Sequence, residues 1–288
     1  MEYFINLGIL FCIYTMLALS LNMLVGLSGL VSLAHAAFYG IGAYAVAILM
    51  TAHGFSFWSA MLVGMIINGI TAFVVGKILA QFKGDYYAVV SAGLSVIVFS
   101  VLLNFKSLTN GPIGIYGIGK PSVAGYSFYS SSAFFVLAVT FVTLFYALFV
   151  FIDKSSFGRA LKGLREDEEL TVSLGYQTTK FKSLIFAISA MIAGIAGSFF
   201  ASYIAFIDPT SFQLTEGIFF FTMVTVGGLS SAFGSLVGAA VLLLLPEVLR
   251  FLGLPYETAA QLQQLIYGAL LVLMMVFRPQ GLFGKYRI

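Results

Sequence analysis

Residues 218–250 read IFFFTMVTVGGLSSAFGSLVGAAVLLLLPEVLR, an apolar run interrupted by GGLSSAFG at 227–234. As one helix it would be about 50 Å long, against a hydrocarbon layer of about 30 Å. Glycine and serine at its middle mark the place where a helix can break. The run therefore predicts two shorter helices meeting at 227–234 as a hairpin.

The rest of the chain has the same character. Of 288 residues, 60% are hydrophobic and 9% charged, whereas soluble domains carry about a quarter charged residues. So little charge cannot cover a globule in water, which makes the chain a polytopic membrane protein, all-α and a single transmembrane domain over 1–288. Besides the hairpin, apolar runs predict spans near 4–26, 30–50, 58–80, 86–104, 133–152, 183–204 and 262–278, about nine crossings in all. The first run has no basic leader and no small-residue cleavage site, so it is expected to be a retained span and not a removed signal peptide. The single cysteine, Cys12, rules out an intramolecular disulfide.

Charge is concentrated in one place. The segment GRALKGLREDEELTVSLGYQTTKFK (158–182) lies in a loop, 153–182, that holds six of the fourteen basic and five of the eleven acidic residues. Cytoplasmic loops are enriched in Lys and Arg. With this loop in the cytoplasm and nine crossings, Lys77, Lys83, Arg278, Lys285 and Arg287 also fall inside, and only Lys106, Lys120 and Arg250 fall outside. That places the N-terminus outside, the C-terminus inside, and the loops 106–132 and 206–217, with Asp208 and Glu216, on the outer face.

Within the charged loop, Ser155 or Ser156 can cap a helix that runs to Leu174, and Gly175 can end it in the left-handed conformation. Leu161, Leu164, Val172 and Leu174 give it an apolar edge. The acids Glu166, Asp167, Glu168 and Glu169 form a negative knob flanked by Arg159, Lys162 and Arg165. Setting orientation needs only basic residues, so four consecutive acids point to docking against another protein.

A second Gly-interrupted passage, NMLVGLSGLVSLAHAAFYGIGAY (22–44), matches the first. Unwound backbone at membrane depth is tolerated where protein buries it or a watery cavity solvates it, and paired broken segments mark translocation paths. On that basis Gly26, Gly29, Ser32, His35 and Gly40, with Gly227, Gly228, Ser230 and Gly234, are candidate path residues. Close helix packing by small residues is the competing explanation for the same glycines. His35, ionisable in an apolar run, is expected to hold the break in shape by a hydrogen bond from a neutral ring.

No phosphate-binding loop, nucleophile elbow or metal-ligand spacing occurs, and His35 and His53 are isolated. No catalytic residue, metal or cofactor is expected in this chain, nor a nucleic-acid partner.

The segment at 158–182 resembles the cytoplasmic coupling loop of branched-chain amino acid ABC importer permeases. GLSGLVSLAHAAFYGIGAY (26–44) resembles the opening signature of the LivM-type subunit of that family. FVTLFYALFVFIDKSSFGRALKG (141–163), FTMVTVGGLSSAFGSLVGAAVLLLLPEVLR (221–250) and RPQGLFG (278–284) fit its pattern too. In ABC importers a loop pattern Glu-Ala-Ala-x-x-x-Gly contacts the ATPase; here Glu169 and Gly175 keep the spacing, with Leu170 and Thr171 in place of the alanines.

The resemblance implies a permease subunit in a bacterial inner membrane, forming half of a path for leucine, isoleucine and valine. It implies a second, LivH-type permease subunit, two ATPase subunits that hold ATP and Mg, and an extracytoplasmic binding protein. Importers of urea, short amides or other amino acids share the pattern. An ion-coupled secondary transporter would need intramembrane acids, which are almost absent here, Glu247 near a helix end beside Arg250 being the exception.

Overall fold

The computed structural model describes residues 2–123, 126–250, 256–278 and 280–284. Among these, apolar composition and helix-favouring runs give twelve helices: α1 Glu2–Ser28, α2 His35–His53, α3 Phe57–Leu79, α4 Asp85–Asn104, α5 Lys106–Thr109 and α6 Ser131–Lys154, then α7 Ser156–Glu166, α8 Glu168–Ser173, α9 Thr178–Ile204, α10 Leu214–Gly227, α11 Ala232–Arg250 and α12 Tyr256–Phe277. Two short 3-10 helices, Gly111–Ile113 and Pro209–Phe212, and four two-residue strands, β1 Ile115–Tyr116, β2 Ser122–Val123, β3 Tyr126–Ser127 and β4 Phe206–Ile207, accompany them.

Seven of the helices (α1, α2, α3, α4, α6, α9 and α11) are long and apolar enough to cross a membrane. Two further apolar helices, Leu214–Gly227 and Gln261–Phe277 within α12, are shorter. The long run at 218–250 is two helices, so among the described residues seven helices are long enough to cross, and a count of nine depends on the two shorter ones. The second span begins at His35 and not near residue 30, because 29–34 is unwound.

Three helices form the interior. α9 packs against α1, α2 and α3, and α1 also packs against α6, α10 and α11. The contact surfaces explain why small residues are needed there. A Cβ on Gly42 would collide with the backbone of Gly194, and one on Gly76 would lie 3.0 Å from Ser183 Cα. Aromatic rings fill the spaces these contacts leave: Phe38 meets Phe186, and Tyr39 meets Phe200, Phe212 and Phe220. Around this interior α3, α4 and α6 turn stripes of large apolar side chains outward, such as Ile66, Ile70 and Val74 on α3 and Val89, Ile97 and Val101 on α4. Apolar residues at helical spacing on an outer face suit lipid tails as the surrounding solvent.

The two ends of the bundle differ. At one, β1 pairs antiparallel with β4, Ile115 opposite Ile207 and Tyr116 opposite Phe206, so the two predicted outer segments are joined. Trp58 Nε1 donates to Ser122 O at 2.8 Å, tying the start of α3 to the same surface. At the other end lie α7, α8 and the ion pair of Lys83 with Glu169. Glu216, expected in an outer loop, is instead in the first turn of α10. Lys285 and Arg287 lie outside the described residues, as do the side chain of Arg250 and residue 279 of the RPQGLFG motif.

Gly42→Leu is expected to lower the thermal unfolding midpoint of the purified protein, since overpacking such a contact costs about 1–3 kcal/mol. An unchanged midpoint would mean that α2 and α9 do not meet at Gly42 and Gly194.

Candidate functional site

The two breaks lie side by side, and one side chain joins them. α1 ends at Ser28, and Gly29 takes a φ of 72°, which a residue with a Cβ rarely adopts. α10 ends at Gly227, Gly228 has a φ of 126°, and Ser230 sits at 59° before α11 begins. The α10–α11 break is held by Asn22, fully buried on α1. Its Nδ2 donates to Gly228 O at 3.1 Å, Ser231 O at 3.0 Å and Ser235 Oγ at 2.8 Å, and its Oδ1 accepts from Ser230 N at 2.9 Å. A side-chain amide thus supplies hydrogen bonds that the broken α10–α11 backbone lacks. Buried backbone groups left without such partners cost about 1–3 kcal/mol each.

The break at 29–34 is satisfied from a different helix. Ser91 and Ser95, one turn apart on α4 and both fully buried, accept from Leu33 N at 3.0 Å and donate to Leu33 O at 2.7 Å. Ser32 Oγ accepts from Ala34 N at 3.2 Å, which turns the chain into α2. The unwound residues are thereby held by protein, with serine hydroxyls replacing the helix bonds.

Arg165, in the last turn of α7, reaches both breaks. Its Nη1 donates to Gly26 O and, at 2.7 Å, to Ser230 Oγ, while Ser230 Oγ donates to Gly26 O. A Cβ at Gly29 would come within 2.6 Å of Arg165 Cγ, so the arginine stem passes where only glycine leaves room. Nη2 pairs with Glu166 at 3.2 Å. The charged loop, α1 and the α10–α11 turn therefore meet at a single guanidinium.

A fourth segment closes the junction. Leu282 N and Phe283 N donate to Val226 O and Gly227 O, each at 2.9 Å, capping the end of α10 from residues that follow α12. Gly228 packs directly on Gly284, and Gly281 on Gly228.

The other candidate path residues lie nearby in the bundle. Gly40 lies inside α2 against the Phe212 ring, and Gly227 and Gly234 hold α10 and α11 in backbone contact. Each of these three makes a close packing contact. His35 opens α2, but neither ring nitrogen has a hydrogen-bond partner, so it does not brace the break by a hydrogen bond. Its fully buried ring packs as an apolar one would.

The charged loop is two helices, since Asp167 adopts an extended backbone and its carboxylate accepts from Leu170 N at 2.9 Å to start α8. The predicted cap at Ser155 is present, its Oγ accepting from Gly158 N at 3.1 Å, and Gly175 follows α8 at φ 88°. The four acids do not project as one knob. Glu166 faces Arg165, Asp167 caps α8, and Glu168 pairs at 2.7 Å with Lys182, whose side chain is only 3% exposed. Glu169, 88% exposed, and Glu166, 58% exposed, both remain at the surface. Arg159 is spent locally, donating to Lys154 O at 3.1 Å. Leu161 and Leu164 point into the bundle, while Leu170, Val172, Leu174 and Tyr176 form an exposed apolar edge.

A many-helix membrane protein with two broken helices braced by a charged terminal loop is the architecture of a transport permease. The chain belongs to the family described as the permease component of branched-chain amino acid transport systems, which matches residues 3–275. It is 34% identical to the high-affinity branched-chain amino acid transport system permease proteins LivM of Salmonella typhimurium and Escherichia coli, over 98% of this chain and 70% of theirs. It is 27% identical to the LivH permease protein of Salmonella typhimurium, over 94% of this chain and 91% of that one. No solved structure shows significant similarity to it.

Asn22→Leu keeps the volume but strips the break of four hydrogen bonds. It is expected to lower stability by at least about 2 kcal/mol, seen as a fall in the thermal midpoint and in the yield of monodisperse protein. A wild-type midpoint would show that the break does not depend on Asn22.

Proposed function

We propose that this chain is the LivM-type permease subunit of an ATP-driven importer of leucine, isoleucine and valine in a bacterial inner membrane. It forms half of the translocation path, and a LivH-type subunit forms the other half. ATP and Mg belong to two ATPase subunits beneath it, and an extracytoplasmic binding protein delivers substrate to the surface around β1 and β4.

The observation that carries this reading is the reach of Arg165 from the charged loop into both helix breaks. A force applied to α7 and α8 is transmitted through one guanidinium to α1 and to the α10–α11 turn. The exposed edge of Leu170, Val172, Leu174 and Tyr176, with Glu169 beside it, offers an ATPase an apolar surface with a charged rim. Interfaces of this composition dock through their apolar centre and take specificity from the rim. On this reading the basic end of the bundle is cytoplasmic and the β1–β4 end is external, with the N-terminus outside and the C-terminus inside.

In the assembled complex, Arg165→Ala is expected to reduce leucine uptake at least tenfold while ATPase subunits still co-purify. Val172→Asp with Leu174→Asp is expected to do the reverse at the first step, releasing the ATPases from a permease that remains folded. Retained uptake in Arg165→Ala, or retained ATPases in the double variant, would remove the coupling role from that element. Uptake of urea or acetamide in preference to leucine would select the other importer class. With Cys12 replaced by Ser, Ser122→Cys is expected to react with an impermeant thiol reagent in intact cells and Ser173→Cys is not; the opposite pattern would invert the topology.

A further inference from the structure

Away from the junction, α1, α10, α11 and α12 enclose a cavity of about 260 Å³ near the β1–β4 end of the bundle. Its lining is unlike the rest of the interior, because it combines a carboxylate, two side-chain amides and an aliphatic wall. Glu216 supplies the carboxylate from the third helical position of α10. At that position a glutamate commonly reaches back to the amide that precedes the helix. Here it does not, and no hydrogen bond or ion pair to its carboxylate occurs among the described residues. An ionisable side chain kept unpaired and largely out of water is costly and marks a functional group.

The other walls specify what could neutralise it. Gln263 Nε2 donates to Tyr267 Oη at 2.7 Å, and Tyr267 Oη donates to Leu242 O at 3.2 Å, so the tyrosine is fixed and its ring forms a wall of the cavity. Gln264 and Thr215 add polar groups that can donate to an anionic oxygen, and Leu242 and Leu243 line the opposite side. A metal ion is a poor match, since the described residues contain no group of three acidic, histidine or cysteine side chains. A small molecule with an ammonium group, a carboxylate and a branched aliphatic body meets every wall with its complement.

We propose that this cavity is a binding subsite for an aliphatic α-amino acid, with Glu216 receiving the ammonium group, Gln264 and Thr215 the carboxylate, and Leu242 and Leu243 the side chain. The proposal rests on the permease reading and adds to it a selective site inside the membrane subunit, distinct from the binding protein and from the glycine breaks.

The test uses the complete complex in nanodiscs without the soluble binding protein, with tritiated L-leucine as probe and 3-methylbutylamine and 4-methylpentanoate as competitors. Glu216→Gln is expected to weaken leucine binding by roughly thirtyfold or more, the scale of losing one partner of a buried charge pair, and to abolish competition by the amine but not by the acid. Glu216→Asp should retain amine competition. Leu243→Trp, which fills the cavity without touching the charge, should abolish binding of all three. It decides the matter alone if Glu216→Gln does not assemble. If wild-type complex with its binding protein imports leucine and neither variant alters leucine binding, the subsite is wrong and the permease reading stands. If wild type neither imports nor binds leucine, both fall together.

Discussion

The amide of Asn22 is the constraint on which this architecture turns. Backbone interrupted at membrane depth must be completed by protein or by a watery cavity, and three hydrogen bonds from one buried side chain do so for the α10–α11 turn. Because Asn22 belongs to α1, the turn is fixed to the most central part of the bundle and not to a peripheral helix. The second break is fixed to α4 by Ser91 and Ser95 in the same manner. Each interruption is thus bonded to a helix remote from it in sequence, and the bundle's outer and inner layers are cross-linked through backbone that would otherwise be a liability.

The charged loop follows the same economy. Most of its ions are consumed in holding α7 and α8 in place: Lys162 on Asp153, Arg165 on Glu166 and the first break, Lys182 on Glu168. What remains outward is the apolar edge of Leu170, Val172, Leu174 and Tyr176, set among exposed charges that include Arg159, Glu166, Asp167, Glu169 and Lys180. The internal pairs keep the shape of that surface rigid. Lys182 in particular is nearly without solvent, so Glu168 is part of the bundle's own stability and not a free contact.

Helices were readable from sequence wherever an apolar run matched the thickness of a bilayer, because length and lack of charge alone impose that outcome. The hairpin was readable for the same reason, since 33 apolar residues cannot be one crossing. The split between α7 and α8 was not, because Asp167 looks like one acid among four until its carboxylate is seen capping Leu170 N. Asn22 left a signal, a lone amide in an apolar run, but nothing in the sequence says that it faces residues 206 to 209 positions away. Ser91 and Ser95 left a fainter one, two serines four apart on an apolar helix. Glu216 was misplaced because a boundary error of four residues separates an outer loop from the first turn of a helix. His35 stood out by its type, yet its buried ring makes no hydrogen bond that would brace the break.

The pairing of Leu282 and Phe283 with the end of α10 has a consequence for biogenesis. A chain emerging from the ribosome makes the α10–α11 turn about fifty residues before it makes the segment that caps it. Until α12 has been inserted and the residues behind it have folded back, the carbonyls of Val226 and Gly227 lack their final partners. The junction is therefore a late event in synthesis, and chains that stop short of Gly281 carry an open seam beside Arg165. Such a seam is the kind of feature by which membrane quality control can separate finished from unfinished copies before they enter a complex.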